Sequence, residues 1–324
     1  MDSLARSLTV LAVAVAADLL WGEPPARLHP VVWLGRLIAG LERRAPPLAA
    51  GATPRLLYGA GTVAVAVAAS AGPAWAAERL LRRAGWPGAI VLGLLLKPAF
   101  AVRALLEATA AVRDALAGDD LPLAREGLRS LVSRDTAALP APLLAAAAIE
   151  SVTENAADSV VAPLLWYALW GLPGAAGYRA VNTLDAMLGY RTERYEHLGK
   201  AAARLDDLAN LLPARLTGLL FVLAAGGAGR AAAWRTMRRD RRITASPNAG
   251  WTMSAAAGAL GVRLEKTGHY RLNPEGRPPG AADVDRALTL TRTALALGAP
   301  LLAGAVALKS ATAASRRRRN RGAL

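Results

Sequence analysis

The fold class is decided by Leu56-Leu-Tyr-Gly-Ala-Gly-Thr-Val-Ala-Val-Ala-Val-Ala-Ala-Ser-Ala-Gly-Pro-Ala-Trp-Ala-Ala77, a run without a charged residue. A transmembrane helix needs about 20 predominantly apolar residues, so this run predicts a helix that can cross a bilayer. The composition agrees, because 54% of the 324 residues are hydrophobic, and the abundant Ala and Leu lead the ranking of helix propensity. We therefore expect an all-α fold, that of a multi-pass helical integral membrane protein with polar helical loops.

Further apolar runs lie on both sides of this one, and several are short for a bilayer crossing. They cover residues 8–20, 88–102, 137–149, 159–178, 216–229 and 293–308. Runs of about 10–14 residues are more often buried, re-entrant or interfacial than spanning, so we expect four or five spans. Pro163 and Pro173 flank the apolar part of the 159–178 run, which predicts a broken or re-entrant helix.

The first apolar run resembles a signal peptide only superficially. It contains Asp18 near its end and continues into Leu-Leu-Trp-Gly without a convincing small-residue cleavage site. We expect a retained first helix. The whole sequence then predicts one helical membrane domain over residues 1–310, with polar segments 103–139, 179–210 and 230–287 between the apolar helices. A basic, disordered tail is expected over residues 311–324.

The charge balance favours a membrane protein over a nucleic-acid-binding protein. The net charge is +15, and the basic residues alternate with long apolar stretches, as in membrane proteins with basic cytoplasmic loops. The two densest basic clusters, 235–242 and 316–321, should both be cytoplasmic. One complete span between them would place them on opposite faces, so either the 293–308 run is not a simple span or one cluster breaks the rule.

The absence of certain residue types limits the chemistry. The sequence has no cysteine, which excludes disulfides, thiolate nucleophiles and cysteine-ligated metals, and its three histidines are far apart. No phosphate-binding loop, GxGxxG turn or GxSxG elbow is present. A nucleotide would therefore have to be held by carboxylates, magnesium and arginines.

The most informative polar segment is Glu150-Ser-Val-Thr-Glu154-Asn155-Ala-Ala-Asp158. Its three carboxylates are spaced i, i+4 and i+8, which places them on one face of a helix, where like charges repel. A cation or a cationic ligand would relieve this repulsion. Because a buried apolar run follows directly, we interpret the segment as a functional site; the alternative is an ordinary solvated helix face.

A second cluster pairs acidic and basic residues at helical spacing. Asn182 and Asp185 can share a magnesium ion or a hydroxyl group, and Arg191 and Arg194 suit phosphate or carboxylate oxygens. The alternative is salt bridging of these arginines to nearby glutamates in an exposed segment.

A third cluster, Asp206, Asp207 and Asn210, presents oxygen atoms of the kind that Mg²⁺ prefers. Acidic residues also stabilise the start of a helix, so this cluster alone is ambiguous.

Two turn-like segments complete the candidates. Ser246-Pro-Asn248-Ala-Gly-Trp251 directly follows the 235–242 basic cluster and can form an anion-facing loop, although a plain loop is the alternative. His29, before Pro30, could bind a ligand or carry a proton, but a lone histidine is more often structural.

Taken together, these segments resemble the CobD/CbiB family of cobalamin biosynthesis over nearly the whole chain. The segments that carry the resemblance are Asp18-Leu-Leu-Trp-Gly-Glu-Pro, Leu28-His-Pro-Val, Ser133-Arg-Asp-Thr, Glu150-Ser-Val-Thr-Glu-Asn-Ala-Ala-Asp-Ser-Val-Val-Ala-Pro, Tyr178-Arg-Ala-Val-Asn-Thr-Leu-Asp-Ala-Met-Leu-Gly-Tyr-Arg, Ala203-Arg-Leu-Asp-Asp-Leu-Ala-Asn, Ser246-Pro-Asn-Ala-Gly-Trp and Gly258-Ala-Leu-Gly-Val-Arg-Leu. The segment from Gly268 to Gly280 is less like the family.

The resemblance implies an amide-forming ligase in the cell inner membrane. Such an enzyme condenses adenosylcobyric acid with (R)-1-aminopropan-2-ol, or its O-phosphate, to adenosylcobinamide or its phosphate. ATP and Mg²⁺ are the expected cofactors, and later enzymes of the pathway are possible partners. The expected catalytic residues are Glu150, Glu154, Asn155, Asp158, Asp185 and His29. The expected substrate-binding residues are Arg134, Asp135, Asn182, Tyr190, Arg191, Arg194, Ser246, Asn248 and Trp251. The expected metal ligands are Glu154, Asp158, Asp206, Asp207 and Asn210.

The sequence leaves two other functions open. Membrane prenyl- or phosphotransferases also place Asp and Asn clusters at helix ends to bind magnesium diphosphates. A non-catalytic membrane sensor or transporter is the second, although a transporter would more often show an internal repeat.

Overall fold

The computed structural model describes residues 3–321, with side chains from residue 4 to residue 312, and its regular structure is mostly helical. The helices are α1 (Ser3–Trp21), α2 (Pro30–Glu42), α3 (Ala52–Leu81), α4 (Gly85–Leu96), α5 (Val102–Ala117), α6 (Leu121–Leu128), α7 (Ala141–Asn155), α8 (Ala162–Trp170), α9 (Leu172–Leu188), α10 (Lys200–Ala209), α11 (Leu211–Ala224), α12 (Gly227–Asp240), α13 (Ala249–Leu260) and α14 (Ala281–Arg321). A π-helical segment, Ala156–Val161, joins α7 to α8. The strands β1 (Leu264–Lys266) and β2 (Tyr270–Leu272) form an antiparallel hairpin in which Glu265 pairs with Arg271.

The prediction of an all-α, multi-pass membrane protein is confirmed. Within residues 3–321, four helical stretches are long and apolar enough to cross a membrane: Leu4–Trp21, Ala52–Leu81, Gly85–Ala117 and Ala281–Thr312. The pair α10 and α11, bent by 46° at its break, would be a fifth if it forms one span. This agrees with the four or five spans expected from the apolar runs.

The structure shows why two of the apolar runs, 137–149 and 159–178, are not simple membrane spans. Helix α7, from the 137–149 run, is buried from Leu144 to Thr153 and is a core helix. The 159–178 run is broken, as predicted, because Gly171 takes a φ of +75° between α8 and α9. The carboxylate of Glu78 then accepts a hydrogen bond from the Leu172 N–H at 2.9 Å, which satisfies a backbone donor at the start of α9.

The helices form two compact units whose segments alternate along the chain. The first unit contains α1–α4, α8–α10 and the last part of α14. The second contains α5–α7, the π-helical segment, α11–α13, the hairpin and the first part of α14. The sequence indicates one domain over residues 1–310, because apolar periodicity reports helices and not the long-range contacts that group them.

The C-terminal segment is helical where the sequence predicts a disordered tail. Helix α14 continues to Arg321, and its alanines and arginines are strong helix formers. Residues 322–324 of the predicted tail lie outside the described residues.

The first unit contains a buried apolar cluster and a close backbone contact at a glycine. Leu34 and Ile38 of α2 pack with Ala66 of α3 and Leu184 of α9 in one buried cluster. Beside this cluster, a Cβ atom at Gly59 would overlap the backbone carbonyl of Leu198. Small residues allow helix backbones to approach closely in membranes, so Gly59 marks a contact that no larger residue permits.

Gly59→Ala should therefore destabilise the protein, by about 1–3 kcal/mol for an overpacked site. Gly61→Ala on the same helix is the matched control, because a Cβ there meets no atom within 4 Å. Thermal unfolding in detergent, followed by circular dichroism, compares the two. Equal melting temperatures for both variants would contradict the close contact.

Candidate active site

A small polar cavity in the second unit brings together several of the predicted site residues. Its volume is about 150 Å³, and it lies between the loop before α7, the end of α7 and the hairpin. Its lining residues are Leu131, Val132, Ser133, Arg134, Glu150, Ser151, Glu154, Asn155, Lys266 and Tyr270. Eight of these ten side chains are polar or charged, so the cavity suits a small polar ligand.

A buried ion pair forms one wall of this polar cavity. Arg134 Nη2 lies 2.7 Å from Glu150 Oε2, and both side chains are largely buried. Burial raises the pKa of Glu150 above its ordinary value, and the charge of Arg134, together with the hydroxyl of Tyr270, partly offsets the rise. The second carboxylate oxygen, Oε1, is buried and accepts no well-formed hydrogen bond in the described structure. This oxygen can therefore serve a ligand.

The polar end of α7 is held in place by local hydrogen bonds. The Ser151 hydroxyl donates to the Leu131 carbonyl at 2.9 Å, which fixes the loop that carries Arg134. Asn155 Nδ2 donates to the Ser151 carbonyl at 3.0 Å, and the Ser159 hydroxyl donates to Asn155 Oδ1 at 3.0 Å. The predicted catalytic Asn155 thus orders the helix end.

The predicted stack of three carboxylates on one regular helix is altered by the π-helical segment. Glu150 and Glu154 follow α-helical spacing, but Asp158 lies inside Ala156–Val161, where the helix is wider. Such π-segments frequently occur at functional sites. No local pattern indicates this change, because Ala156 and Ala157 suit a regular helix.

An acidic cluster in the first unit, defined by Asn182, Asp185, Asp206 and Asp207, joins two of the predicted groups. Asn182 Nδ2 donates to Asp206 Oδ1 at 3.3 Å, which connects α9 to α10. Burial, with the negative charges of Asp206 and Asp207, raises the pKa of Asp185 to about 7. Arg191 is close enough to Asp207 to interact electrostatically with it. A cation would relieve the repulsion at Asp185.

Three of the predicted substrate-binding residues make contacts within the chain. Arg194 Nη2 lies 2.6 Å from the Glu42 carboxylate, a partner that neither interpretation of the sequence anticipated. Asp135 accepts the N–H of Ala137 at 2.9 Å and so stabilises a turn. Tyr190 is exposed and packs its ring against that of Tyr195, with 6.2 Å between the ring centroids.

His29 is part of a polar network at the start of α2 that runs from the exposed Glu23 to the buried Lys97 and Asp18. Its Nδ1 accepts the N–H of Val31 at 3.2 Å and caps the helix, while its Nε2 lies 2.7 Å from Glu23. Lys97 contacts the same glutamate at 2.5 Å and Asp18 at 3.1 Å. The arrangement favours the structural role for His29.

The loop before α13 and the first turn of that helix lie close to Arg215 and Arg241. The Ser246 hydroxyl accepts the N–H groups of Asn248 and Ala249 at 3.2 and 3.3 Å. The guanidinium groups of Arg215 and Arg241 both stack on the ring of Trp251, at 4.7 and 4.6 Å from its centroid.

Sequence reasoning missed Lys266 and Tyr270 in the polar cavity and Arg215 beside Trp251. Lys266 and Tyr270 flank the turn of the hairpin, and Tyr270 falls in the segment that looked least like the family. Arg215 directly precedes an apolar run. No local pattern marks any of them, because each acquires its role from a contact with residues far away in the chain.

The predicted magnesium ligands are divided between the units. Glu154, Asp158 and Asn210 belong to the second unit, and Asp206 and Asp207 to the first. Among residues 3–321, no three His, Asp or Glu side chains lie close enough together to hold a metal by themselves. Mg²⁺ is usually bound by one or two carboxylates together with substrate phosphates, and the acidic cluster fits that arrangement.

Comparison with known proteins agrees with this architecture. Residues 11–293 match the family described as CobD/Cbib protein. The chain belongs to the CobD/CbiB family. The cobalamin biosynthesis protein CobD of Rhodobacter capsulatus is 45% identical over 312 residues, covering 92% of this chain and 97% of its own length. The CobD proteins of Geobacter metallireducens and Chromobacterium violaceum are 47% and 44% identical, covering 83% and 93% of this chain and 85% and 99% of their own lengths. No solved structure matches the CobD/CbiB chain.

The raised pKa of Asp185 predicts a pH-dependent stability of the CobD/CbiB protein. The protonated carboxyl is favoured in the folded state, so its contribution to stability is complete below the ordinary aspartate pKa of 3.8 and is lost as the pH rises through about 7. In metal-free buffer, Asp185→Asn should remove this part of the pH dependence and melt at a higher temperature than the wild type at pH 8. Asp119→Asn, at an exposed turn, is the control. If the melting temperatures of wild type and Asp185→Asn change with pH by the same amount from pH 5 to pH 8, the raised pKa of Asp185 is refuted.

Proposed function

We propose that this protein is an inner-membrane ligase that joins adenosylcobyric acid to (R)-1-aminopropan-2-ol or its O-phosphate through an amide bond. The product is adenosylcobinamide or its phosphate. Membership of the CobD/CbiB family and the names of the relatives support a role in cobalamin biosynthesis. Later enzymes of the pathway are expected partners. Family membership also favours this reaction over a prenyl- or phosphotransferase.

The observation that carries the proposal is the Arg134–Glu150 pair in the polar cavity. A buried carboxylate with a raised pKa and one buried oxygen without a well-formed hydrogen bond is suited to accept a proton from an amine. Arg134 holds Glu150 in place at 2.7 Å, and Tyr270 lies on the same wall. The amine substrate is an ammonium ion at neutral pH and must lose a proton before its nitrogen can attack an acyl group, so Glu150 is assigned as the acceptor of that proton.

Positive charge in the same cavity is suited to the acidic substrate groups. Lys266 lines the cavity with Arg134, and both can donate hydrogen bonds to carboxylate or phosphate oxygens. Glu154 and Asn155 provide further polar groups at the end of α7. In this enclosed space, electrostatic interactions are stronger than in water.

Joining a free carboxylate to an amine is uphill in water, so the carboxylate must be activated. We assign this to ATP with Mg²⁺. The acidic cluster, with Asp185, Asp206 and Asp207, contains the residues that would hold the ion together with nucleotide phosphates. When bound, the ion would neutralise phosphate charge. The carboxylate would displace ADP or pyrophosphate from ATP to give an acyl phosphate or an adenylate, and phosphate or AMP would leave as the amine forms the amide bond.

The reaction is tested by incubating the purified protein in detergent with adenosylcobyric acid, the amine or its O-phosphate, ATP and Mg²⁺, and by detecting the product with mass spectrometry. Glu150→Gln should lower the turnover rate by roughly 10²–10³-fold, as expected for loss of one catalytic group. Glu126→Gln is the matched control, because Glu126 is exposed and forms a surface pair with Arg129.

Folding is checked separately by the melting temperature, since Gln preserves the shape of Glu. Full activity of folded Glu150→Gln would remove the proton-accepting role. Absence of product with either amine and any nucleotide, from folded wild-type protein, would overturn the ligase assignment.

A further inference from the structure

Two arginines from different helices meet on one aromatic ring in the second unit. Arg215 comes from α11 and Arg241 from the end of α12, and their guanidinium carbons lie 4.7 and 4.6 Å from the centroid of Trp251 on α13. Cation–π contact of each guanidinium with the ring is favourable. Two like charges on one ring also repel each other, so this arrangement is not explained by stacking alone. We call Arg215 and Arg241 the arginine pair.

The arginine pair is fixed by its neighbours. Arg215 Nη1 donates to the Leu211 carbonyl at 2.7 Å and to Asn248 Oδ1 at 3.2 Å, and Asn248 itself is buried. The backbone carbonyl of Arg241 lies so close to Gly250 that a Cβ there would overlap it. The Arg215 guanidinium is therefore held by hydrogen bonds, and the backbone from which Arg241 reaches Trp251 is held by close packing.

No carboxylate neutralises the arginine pair within the part of the chain that the structure describes. Neither arginine forms an ion pair there, although many other arginines do. Asp240, which precedes Arg241, is already bound by Arg239 at 2.7 Å and by the Asn273 N–H at 2.7 Å. A negative partner is therefore expected from outside the chain.

The neighbouring loop adds hydrogen-bond donors for such an anion. The Ser246 hydroxyl accepts two backbone N–H groups, which leaves its own proton to donate. Guanidinium groups match the oxygens of phosphate in geometry as well as in charge. Asn248 links this hydroxyl to the arginine pair, because its N–H donates to Ser246 Oγ and its Oδ1 accepts from Arg215.

We propose that Arg215, Arg241 and Ser246 form a binding site for the phosphate group of a small soluble ligand. Within the proposed function, the phosphate could be that of the nucleotide or that of the phosphorylated amine. The site itself does not depend on the ligase assignment, because binding is measured without turnover.

Binding is measured by isothermal titration of the detergent-solubilised protein with ATP, with (R)-1-aminopropan-2-ol O-phosphate and with inorganic phosphate, at low salt. The wild type should bind at least one of them, and the compound whose binding is weakened by Arg215→Gln and by Arg241→Gln identifies the source of the phosphate. Arg215→Gln and Arg241→Gln should each weaken that binding about 10–100-fold, as for loss of one charged hydrogen bond.

Arg238→Gln is the matched control, since Arg238 stacks on a single indole, that of Trp234, at 5.8 Å. It should bind as the wild type does. Trp251→Phe, which keeps an aromatic face, should retain most of the affinity, and circular dichroism confirms that each variant is folded.

Three outcomes would overturn the proposal. The first is absence of binding by the wild type for all three compounds. The second is equal weakening by Arg215→Gln and Arg238→Gln, which would indicate a general charge effect. The third is thermal stabilisation by phosphatidylglycerol vesicles alone, lost in Arg215→Gln, which would assign the arginine pair to a lipid headgroup.

Discussion

A charge placed among apolar helices must have a partner, and this constraint organises both units of the protein. The idealised cost of burying a lone ion is of order 20 kcal/mol, and in real proteins it is still several kcal/mol. Lys97 is almost completely buried, and its charge is neutralised by contacts with Asp18 of α1 and Glu23 of the following loop. In the second unit, Arg134 and Glu150 neutralise each other in an ion pair. Each pair fixes elements that are distant in the sequence, so the position of the polar groups follows from the need to neutralise them.

Two sites differ from this pattern, because they bring side chains of the same charge close together. The negative charges of Asp206 and Asp207 raise the pKa of Asp185, and Arg215 and Arg241 share one indole ring. Such arrangements cost stability unless a ligand of opposite charge is bound, and perturbed electrostatics of this kind cluster at functional sites. The acidic cluster suits a cation and the arginine pair suits an anion, and the proposed ATP-dependent amide synthesis would require both kinds of partner.

The sequence by itself determined the fold class and the family. Uncharged apolar runs such as 56–77 are a local property, and the requirement that every backbone group be hydrogen-bonded in a bilayer converts them directly into helices. A break in the 159–178 run was also predicted from local signals, Pro163 and Pro173, and the structure places it at Gly171. The quoted family segments likewise lie within residues 11–293, the part of the chain that matches the family.

Only the tertiary structure decided which polar residues meet. The sequence offered Arg134 and Glu150 as separate candidates, and packing of the loop against α7 made them one ion pair. Packing also brought Lys266 and Tyr270 into the same cavity from a hairpin more than a hundred residues later, and engaged His29 and Arg194 in structural contacts. The physical reason is that periodicity reports which face of a helix is apolar, whereas the partner of a polar side chain is set by long-range packing, which no local pattern encodes.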